Sequence, residues 1–266
     1  MTPNPGESPL SGFDATTPNV GRMYDYYLGG KDNYASDREA AEKVIGIFPR
    51  TRELARANRD FLRRAVEYLA REKGIRQFLD IGSGLPTQEN VHQVAQRANP
   101  AARVAYVDLE PIVLAHGQAL LATDDQTIMV TGDLREPDKI IGHQDVRAHL
   151  DLAEPTAVLL VFVMHFIKDS EDPLGIVKTL VDALAPGSCL VLSHAELDDR
   201  LTAGTSVYDR ATSPAVLRSR DEIEAFFDGL ALVEPGVARL GAWRPDGPLP
   251  RRADTLPAYC GVGRKK

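Results

Sequence analysis

Residues 78–87 read FLDIGSGLPT, and this stretch decides the fold of the chain. The apolar residues before Asp80 predict a short buried strand. Two glycines one residue apart predict a tight turn, and Pro86 suits the first turn of a helix. Apolar residues then recur at helical spacing as far as residue 98. The stretch therefore predicts a strand, a glycine turn and a helix, with backbone N–H groups and a helix dipole directed at a ligand.

Two classes of cofactor bind above such a turn, and the residues favour one of them. A dinucleotide site needs G-x-G-x-x-G, but the third glycine position is Thr87, and Asp80 would repel a pyrophosphate. S-adenosylmethionine carries an ammonium and a sulfonium, which a carboxylate attracts. Asp80, Gly82, Ser83 and Gly84 are therefore candidate contacts of S-adenosylmethionine. A purely structural strand–helix turn is the alternative.

An acidic residue also ends the second predicted strand, residues 103–108. Asp108 is its last residue, and Leu109 follows it. A carboxylate at this point can accept hydrogen bonds from both hydroxyls of a ribose, because it offers two acceptor oxygens. The alternative role for Asp108 is that of a helix N-cap.

The third predicted strand, residues 127–131, has the same kind of ending. It runs into Gly132, Asp133 and Leu134, where a carboxylate and an apolar neighbour are expected to meet an adenine amino group and ring. A turn role is the alternative for Asp133. Three acids that end three successive strands favour a shared ligand over three unrelated local roles.

The D-I-G-S-G, Y-V-D and G-D-L elements resemble those of class I S-adenosylmethionine-dependent methyltransferases. From about residue 18 onward, the chain more closely resembles an actinobacterial family of S-adenosyl methyltransferases of unassigned substrate. The segments that carry this closer resemblance are VGRMYDYYLGGKDNY at 20–34, NRDFLRRAV at 58–66, the glycine turn with LPT, and VMHF at 163–166.

The resemblance implies a fold, a cofactor and a reaction. The fold is an α/β, Rossmann-like sheet of seven strands in the order 3-2-1-4-5-7-6, with the last strand antiparallel and an N-terminal helical lid. The cofactor is S-adenosyl-L-methionine, and its product is S-adenosyl-L-homocysteine. We expect a flexible tail over residues 1–17, a lid segment over 18–50 and the cofactor-binding domain over 51–266.

Four tyrosines and a glycine pair dominate the expected lid segment. We expect Tyr24 and Tyr27 to face the cofactor and Tyr26 to face the substrate, the lid closing about Gly29 and Gly30. An amphipathic helix that packs its tyrosines on the core is the alternative.

The next helical pattern, residues 51–73, offers one further cofactor contact. Arg59 is expected to reach the cofactor carboxylate if its turn faces the pocket. Otherwise Arg59 is expected to form a mostly solvated face with Asn58, Arg63 and Arg64.

Composition narrows the partners of the protein. The 266 residues are 43% hydrophobic with a net charge of −7, so there is no bulk attraction to nucleic acid or an anionic membrane. No signal peptide or membrane-spanning run is visible, and Cys189 and Cys260 have no metal-ligand spacing. We expect a cytoplasmic protein with two buried thiols, no metal and a small-molecule methyl acceptor. The oligomeric state is not predicted.

Histidines at the expected active edge are the candidates for acid–base chemistry. His165 follows the most apolar strand and is the candidate base or orienting group, with His194 second. Packing without chemistry is the alternative for His165. Tyr208 and Trp243, with Tyr26 and His194, are candidate substrate contacts. Two other functions stay open: a catalytically silent S-adenosylmethionine-binding regulatory module, and a nicotinamide oxidoreductase.

The remaining chain predicts helices and strands with one irregular insertion. Residues 137–150 read as one helix, 197–220 as an irregular substrate-shaping insertion, and 230–240 and 259–263 as the last two strands. By resemblance, the loop between those strands, which carries Trp243, falls on the active edge.

Overall fold

The computed structural model describes residues 14–86, 89–120, 125–248 and 255–266. In these ranges eight strands form one sheet. The strands are β1 Gln77–Ile81, β2 Arg103–Asp108, β3 Thr127–Thr131, β4 Thr156–Val161, β5 Cys189–Ala195, β6 Ala231–Leu232, β7 Ala238–Arg239 and β8 Ala258–Arg264.

The sheet has the predicted order. It runs β3-β2-β1-β4-β5-β8-β6, with β7 also paired to β8. Strands β1 to β5 are parallel, and β8 is antiparallel to β5. The central strands are near-continuous apolar runs because helices cover both of their faces. The class I methyltransferase topology is confirmed.

The last part of the sheet differs from the prediction in one respect. The expected strand at residues 230–240 is split into β6 and β7, so the sheet has eight strands instead of seven. Pro235, which has no N–H to donate, and Gly236, with φ +82°, lie between the two short strands. Neither suits a continuous ladder.

Ten helices in the described ranges surround the sheet. They are α1 Val20–Leu28, α2 Ala35–Ile47, α3 Thr51–Arg71, α4 Val91–Ala98, α5 Pro111–Leu120, α6 Pro137–Ile141, α7 Gln144–His149, α8 Pro173–Asp182, α9 Asp199–Tyr208 and α10 Arg220–Ala225.

The helix after the glycine turn begins later than predicted. Helix α4 starts at Val91, and Pro86 lies outside it. Asn90 is the N-cap of this helix and forms a capping box with Gln93. In that box the Asn90 backbone N–H donates to Gln93 Oε1 at 2.9 Å. Thr87, the predicted third position of the motif, lies outside the described residues.

Two other helical predictions also need correction. The expected helix over 137–150 is interrupted at Gly142, after which His143 caps α7 by accepting from the Asp145 N–H at 3.2 Å. The insertion at 197–220 is not irregular throughout, since it contains α9, capped by Asp198. Short polar residues at N-caps explain both restarts.

Helices α1 and α2 form a layer beside α3 and α9. Met23 and Tyr27 of α1 are buried with apolar residues of α2 and α3. Beneath them Arg22 and Asp37 form a buried ion pair of 2.7 Å, and Arg22 also donates to the carbonyls of Asp14 and Thr17. Residues 14–17 of the predicted tail are therefore attached to this layer, whereas residues 1–13 lie outside the described residues.

Candidate active site

A cavity lies above the carboxyl ends of the parallel strands, where ligands bind in open α/β sheets. One side, here named the cofactor edge, consists of residues 80–84, 108–110 and 132–135. The other side, here named the apolar chamber, is lined by α2, α3, α9, His165 with Phe166, and residues 213–217. Helix α1 borders both sides through Val20, Gly21, Tyr24 and Tyr27.

The glycine turn follows β1 and requires glycine at one point for packing. Gly82 has φ +71°, and a Cβ there would lie 2.4 Å from Val163 Cγ2. Gly84 has φ +66° and faces open space. Both positions favour glycine because L side chains rarely adopt this left-handed conformation.

The N–H groups of this turn were predicted to face a ligand. In the structure two of them donate to groups of the protein instead. The Gly82 N–H donates to the Val107 carbonyl at 2.8 Å, and the Gly84 N–H donates to Asp108 Oδ2 at 2.8 Å. Acceptors in strand β2 lie close enough to bind these N–H groups. Helix α4 begins only at Val91, so its N-terminal N–H groups do not lie in the turn. The Ser83 hydroxyl is different: it is buried and has no hydrogen-bond partner among the described residues.

Asp80 is the next-to-last residue of β1 and lines the cavity. Burial raises the pKa of its carboxyl to about 7, Arg59 acts to lower this pKa, and Asp108 acts to raise it. A buried carboxylate without a counter-ion costs free energy, and a bound cation would offset that cost. Asp80 is therefore suited to a cationic ligand.

Asp108 is held in a fixed orientation at the end of β2. Its two carboxylate oxygens accept from the Gly84 and Glu110 N–H groups, at 2.8 and 3.0 Å. Burial raises the pKa of Asp108 while these backbone donors act to lower it. Each oxygen keeps a lone pair, so Asp108 can still accept from two hydroxyls of a ribose.

The ending of β3 lies at the same edge, as predicted. Gly132 is packed so closely that a Cβ there would lie 2.6 Å from Val107 Cγ1. Burial acts to raise the pKa of Asp133, but hydrogen bonds from Arg135 lower it overall. Leu134 is buried, Leu109 is exposed, and both line the cavity. These neighbours provide an ionised carboxylate beside two apolar side chains.

Arg59 adds a positive charge beside the cofactor edge, where the charge of Arg135 is already paired with Asp133. It lines the cavity from α3, and one Nη2 contact to the Glu89 carbonyl, at 3.4 Å, is its hydrogen bond. Its neighbour Asn58 is not solvated as predicted but is 1% exposed. The turn of α3 that carries both residues faces the pocket.

Tyr24 ends a buried hydrogen-bond chain that begins at the sheet. The Phe162 N–H donates to Ser193 Oγ at 3.1 Å, and this hydroxyl donates to Asn58 Oδ1 at 2.6 Å. Asn58 Nδ2 donates to the Tyr24 hydroxyl at 2.9 Å, which donates to the Ala55 carbonyl at 3.0 Å. The chain fixes α1 relative to β4 and β5.

Tyr27 and Tyr208 meet between α1 and α9. Their hydroxyl oxygens are 3.1 Å apart, and both residues line the cavity. Burial raises the pKa of each hydroxyl, and for Tyr27 the neighbouring Tyr208 adds to the effect. Both hydroxyls are therefore protonated at neutral pH.

His165 lies in the 3-10 turn Met164–Phe166 and lines the cavity. Its ring contacts Phe162, Phe166 and His194, with centroids 5.3, 4.3 and 5.5 Å away. Burial, then His194 and Arg218, lower its pKa well below the ordinary value, and Nδ1 has no partner among the described residues. His165 is neutral, and no carboxylate of the described residues hydrogen-bonds its ring in the way that supports many histidine bases.

His194 does not line the cavity, contrary to expectation. Its Nδ1 lies 2.7 Å from the Ala195 carbonyl and its Nε2 lies 2.9 Å from Arg218 Nη1. Because a carbonyl only accepts and a guanidinium only donates, His194 is neutral with its proton on Nδ1. Side chains alternate along β5, so His194 faces Phe226, away from the side on which Ser193 meets Asn58.

Sequence reasoning missed Arg218, which holds the turn that carries His165. Arg218 is 4% exposed and donates to the carbonyls of Met164 and Ile167, at 3.0 and 2.9 Å, besides His194. The Val216 N–H also donates to the His165 carbonyl at 2.7 Å. No motif marks this arginine in the sequence.

Two predicted substrate contacts lie away from the cavity. The Tyr26 hydroxyl donates to Glu42 at 2.6 Å, because helical periodicity places Tyr26 on the face opposite Tyr24 and Tyr27. Trp243 is fully buried against Phe61, with ring centroids 5.3 Å apart, since its loop folds back onto α3. Both predictions are wrong.

The apolar chamber contains residues that sequence reasoning did not assign. The main contributors are Phe48, Leu54, Leu201, Gly204, Ala215 and Leu217. The Asp198 cap followed by Leu201 and Tyr208 at helical spacing was a usable signal for α9. Residues 213–217 carry no comparable signal.

The described ranges contain no group of three or more His, Cys, Asp or Glu side chains placed to hold a metal ion. Within the same ranges no helix has both the length and the apolar character that a membrane span requires. Cys189 and Cys260 are buried free thiols, as expected.

The cofactor edge fits S-adenosylmethionine. The carboxylates of Asp80, Asp108 and Asp133 suit its cationic and hydroxyl groups, Arg59 suits its carboxylate, and the buried Ser83 hydroxyl has no partner within the described part of the chain. This sheet order with these strand ends defines a class I S-adenosylmethionine-dependent methyltransferase.

The chain belongs to the S-adenosyl methyltransferase family. The sequence profile of that family matches residues 7–266. The cofactor of the family is S-adenosylmethionine. No curated protein matches the chain.

Solved structures include two similar proteins. One, from Thermobifida fusca and provisionally named a methyltransferase, is 41% identical, with 96% of this chain and 97% of that chain covered and a TM-score of 0.90. The other, a DUF574 family protein from Streptomyces avermitilis, is 39% identical, with coverages of 95% and 99% and a TM-score of 0.90.

A more distant structure shares the fold alone. The plantazolicin methyltransferase BamL, solved in complex with a triazolic desmethylPZN analogue and S-adenosylhomocysteine, is 10% identical, with a TM-score of 0.53. The alignment covers 92% of this chain and 95% of BamL.

Proposed function

We propose that this chain transfers a methyl group from S-adenosylmethionine to an oxygen, nitrogen or carbon atom of a small-molecule acceptor. The observation that carries the proposal is a cavity that joins the charged cofactor edge to the apolar chamber. When bound, S-adenosylmethionine supplies a methyl group activated by its sulfonium. The protein supplies orientation and excludes water.

Each side chain of the cofactor edge has a proposed role. Asp108 would hold the ribose hydroxyls, and Asp133 with Leu134 and Leu109 would hold the adenine. Asp80 and Arg59 would hold the amino-acid end of the cofactor. Gly82, Ser83, Gly84 and Gly132 shape the edge against which it lies. These assignments follow from charge, burial and hydrogen-bonding capacity.

The lid role is also proposed for α1. Tyr24 and Tyr27 would cover the cofactor, and Gly29, with φ +86°, ends the helix. The buried chain from Tyr24 to Ser193 would fix the closed position.

His165 would orient the acceptor or take its proton. The low pKa and the absence of a supporting carboxylate favour the orienting role. A neutral imidazole can still donate or accept one hydrogen bond.

The test is transfer of a labelled methyl group. The purified chain is incubated with methyl-labelled S-adenosylmethionine and a small-molecule extract of an actinobacterial culture, and the products are separated. We expect label in one or few small molecules, and loss of most of it in His165→Ala. Binding of the cofactor with no transferred label from any extract would contradict the proposal and favour a silent binding module. Undiminished transfer by His165→Ala would exclude a base role.

A further inference from the structure

The polar groups around the apolar chamber are mostly engaged within the protein. Thr51 Oγ1 donates to the Phe48 carbonyl at 2.6 Å, and Thr205 Oγ1 donates to the Thr202 carbonyl at 2.9 Å. The Tyr24 hydroxyl both accepts and donates, as described above. The O–H donors of all three groups are therefore used within the protein and cannot donate to a ligand.

The apolar chamber also offers no unpaired charged side chain, among the described residues, to bind an ionised ligand. Arg200 is the cation that lines it, and its guanidinium is held by both oxygens of Asp198 at 2.7 Å. The acids of the cavity lie on the cofactor edge. An ionised group brought into the chamber would therefore be desolvated without a free partner, which is costly.

The Tyr27–Tyr208 hydroxyl pair is different. Two O–H groups share one contact of 3.1 Å, so one proton lies between the oxygens and the other has no partner among the described residues. Both hydroxyls stay protonated, because burial raises their pKa values. The chamber otherwise offers the Ser213 hydroxyl at its rim and the His165 ring.

We infer that the acceptor is an uncharged, largely apolar molecule that offers one hydrogen-bond acceptor to the Tyr27–Tyr208 pair. The inference rests on the proposed function, since it names the class of molecule that the chamber takes. Apolar side chains such as Phe48, Leu54 and Leu201 cover the body of this molecule, and burial of that body supplies most of its affinity.

The experiment compares three probes of matched size at pH 7: 2-naphthol, 2-naphthoate and 2-naphthylmethylammonium. Each is titrated by calorimetry into the full-length protein, with and without S-adenosylhomocysteine. We expect 2-naphthol to bind about tenfold or more tightly than either ion, because an unpaired buried charge is costly. Equal or tighter binding of either ion, or no binding of any probe, overturns the inference.

A pair of variants tests the hydroxyl contact. Replacing both Tyr27 and Tyr208 by Phe is expected to weaken 2-naphthol about 3- to 10-fold, the effect of one lost hydrogen bond, and to leave naphthalene unchanged. Tyr26→Phe is the matched control, since its hydroxyl binds Glu42 outside the cavity. Unchanged 2-naphthol binding in the double variant overturns the hydroxyl contact. If that variant does not fold, the comparison of the three probes in the wild-type protein still tests the inference. S-adenosylhomocysteine is titrated separately into the wild-type protein. If it does not bind, the proposed function itself fails.

Discussion

The cofactor edge and the apolar chamber are built in opposite ways. The cofactor edge carries the carboxylates of Asp80, Asp108, Glu110 and Asp133 with Arg59 beside them, and each acid lies within two residues of the end of a parallel strand. The chamber is assembled from two parts of the chain that are far apart in sequence, α2 with α3 and α9 with residues 213–217. The cofactor edge therefore depends on charge placed by strands, whereas the chamber depends on packing between helices and loops.

The largest expected effect concerns the support of the chamber. Arg218→Met leaves two buried carbonyls and His194 without their donor, and we expect a loss of about 3–5 kcal/mol in the free energy of unfolding. Denaturant unfolding measures this loss. The control is Arg220→Met, two residues away and mostly exposed, with an expected loss of about 0.5 kcal/mol. Equal losses in both variants would show that Arg218 does not hold the His165 turn.

The second prediction concerns the turn at the cofactor edge. Gly82→Ala combines a left-handed φ with a contact of 2.4 Å to Val163, so we expect a loss of about 3 kcal/mol in the free energy of unfolding. Gly29→Ala has a similar φ of +86° but open space, and we expect about 1 kcal/mol. Thermal unfolding of the two variants separates crowding from backbone strain. A Gly29→Ala loss as large as that of Gly82→Ala would contradict the packing role of Gly82.

The third prediction is that the buried carboxylate of Asp80 lowers the stability of the folded protein without ligand. Burial raises the pKa of Asp80 from 3.8 to about 7 in the folded protein. Between pH 3.8 and pH 7 the folded state therefore binds more protons than the unfolded state. Its stability falls as the pH rises through this range. Above pH 7 the cost of the buried charge is fully present. Asp80→Asn removes it, and we expect a gain of about 2 kcal/mol at pH 8, after the amide's own desolvation.

Thermal unfolding without ligand at pH 8 and pH 5 measures this gain. We expect a smaller gain at pH 5, where the wild-type carboxyl is mostly protonated in the folded state. The same variant should bind S-adenosylhomocysteine about tenfold or more weakly, because a charged contact is lost. A variant that is less stable than wild type at pH 8, or a gain independent of pH, would contradict the burial of a charged Asp80.

The smallest expected effect is the pH dependence of cofactor binding. Binding of an ammonium favours ionised Asp80, so the affinity for S-adenosylhomocysteine should rise about tenfold between pH 6 and pH 8. Calorimetry over this range measures it. Asp133→Asn should keep the dependence, because Arg135 already lowers the pKa of Asp133. A flat profile in the wild type would show that Asp80 does not titrate with binding.

The contrast between the two sides also explains what the sequence could predict. The placement of Asp80, Asp108 and Asp133 was predictable because strand, turn and acid are adjacent in the chain, whereas the order of the sheet was expected from the resemblance to class I methyltransferases. The split of the sixth strand was foreseeable from Pro235 and Gly236, and the start of α4 from the Asn90 capping box.

The positions of several aromatic and imidazole side chains were not predictable in the same way. His194 lies one residue from the active edge yet faces away from it, and Trp243 packs under α3 although its loop was expected at that edge. Their orientation depends on contacts with Phe226 and Phe61, which are distant in sequence. Tyr26 is an exception, since helical periodicity alone separates it from Tyr24 and Tyr27.

The selection of a cationic donor by strand-end carboxylates is tested most directly by calorimetric titration of the wild-type chain with S-adenosylmethionine and, separately, with NAD. We predict saturable binding of S-adenosylmethionine and no binding of NAD, because the carboxylate of Asp80 attracts the first ligand and repels the pyrophosphate of the second. Saturable binding of NAD without binding of S-adenosylmethionine would contradict this selection.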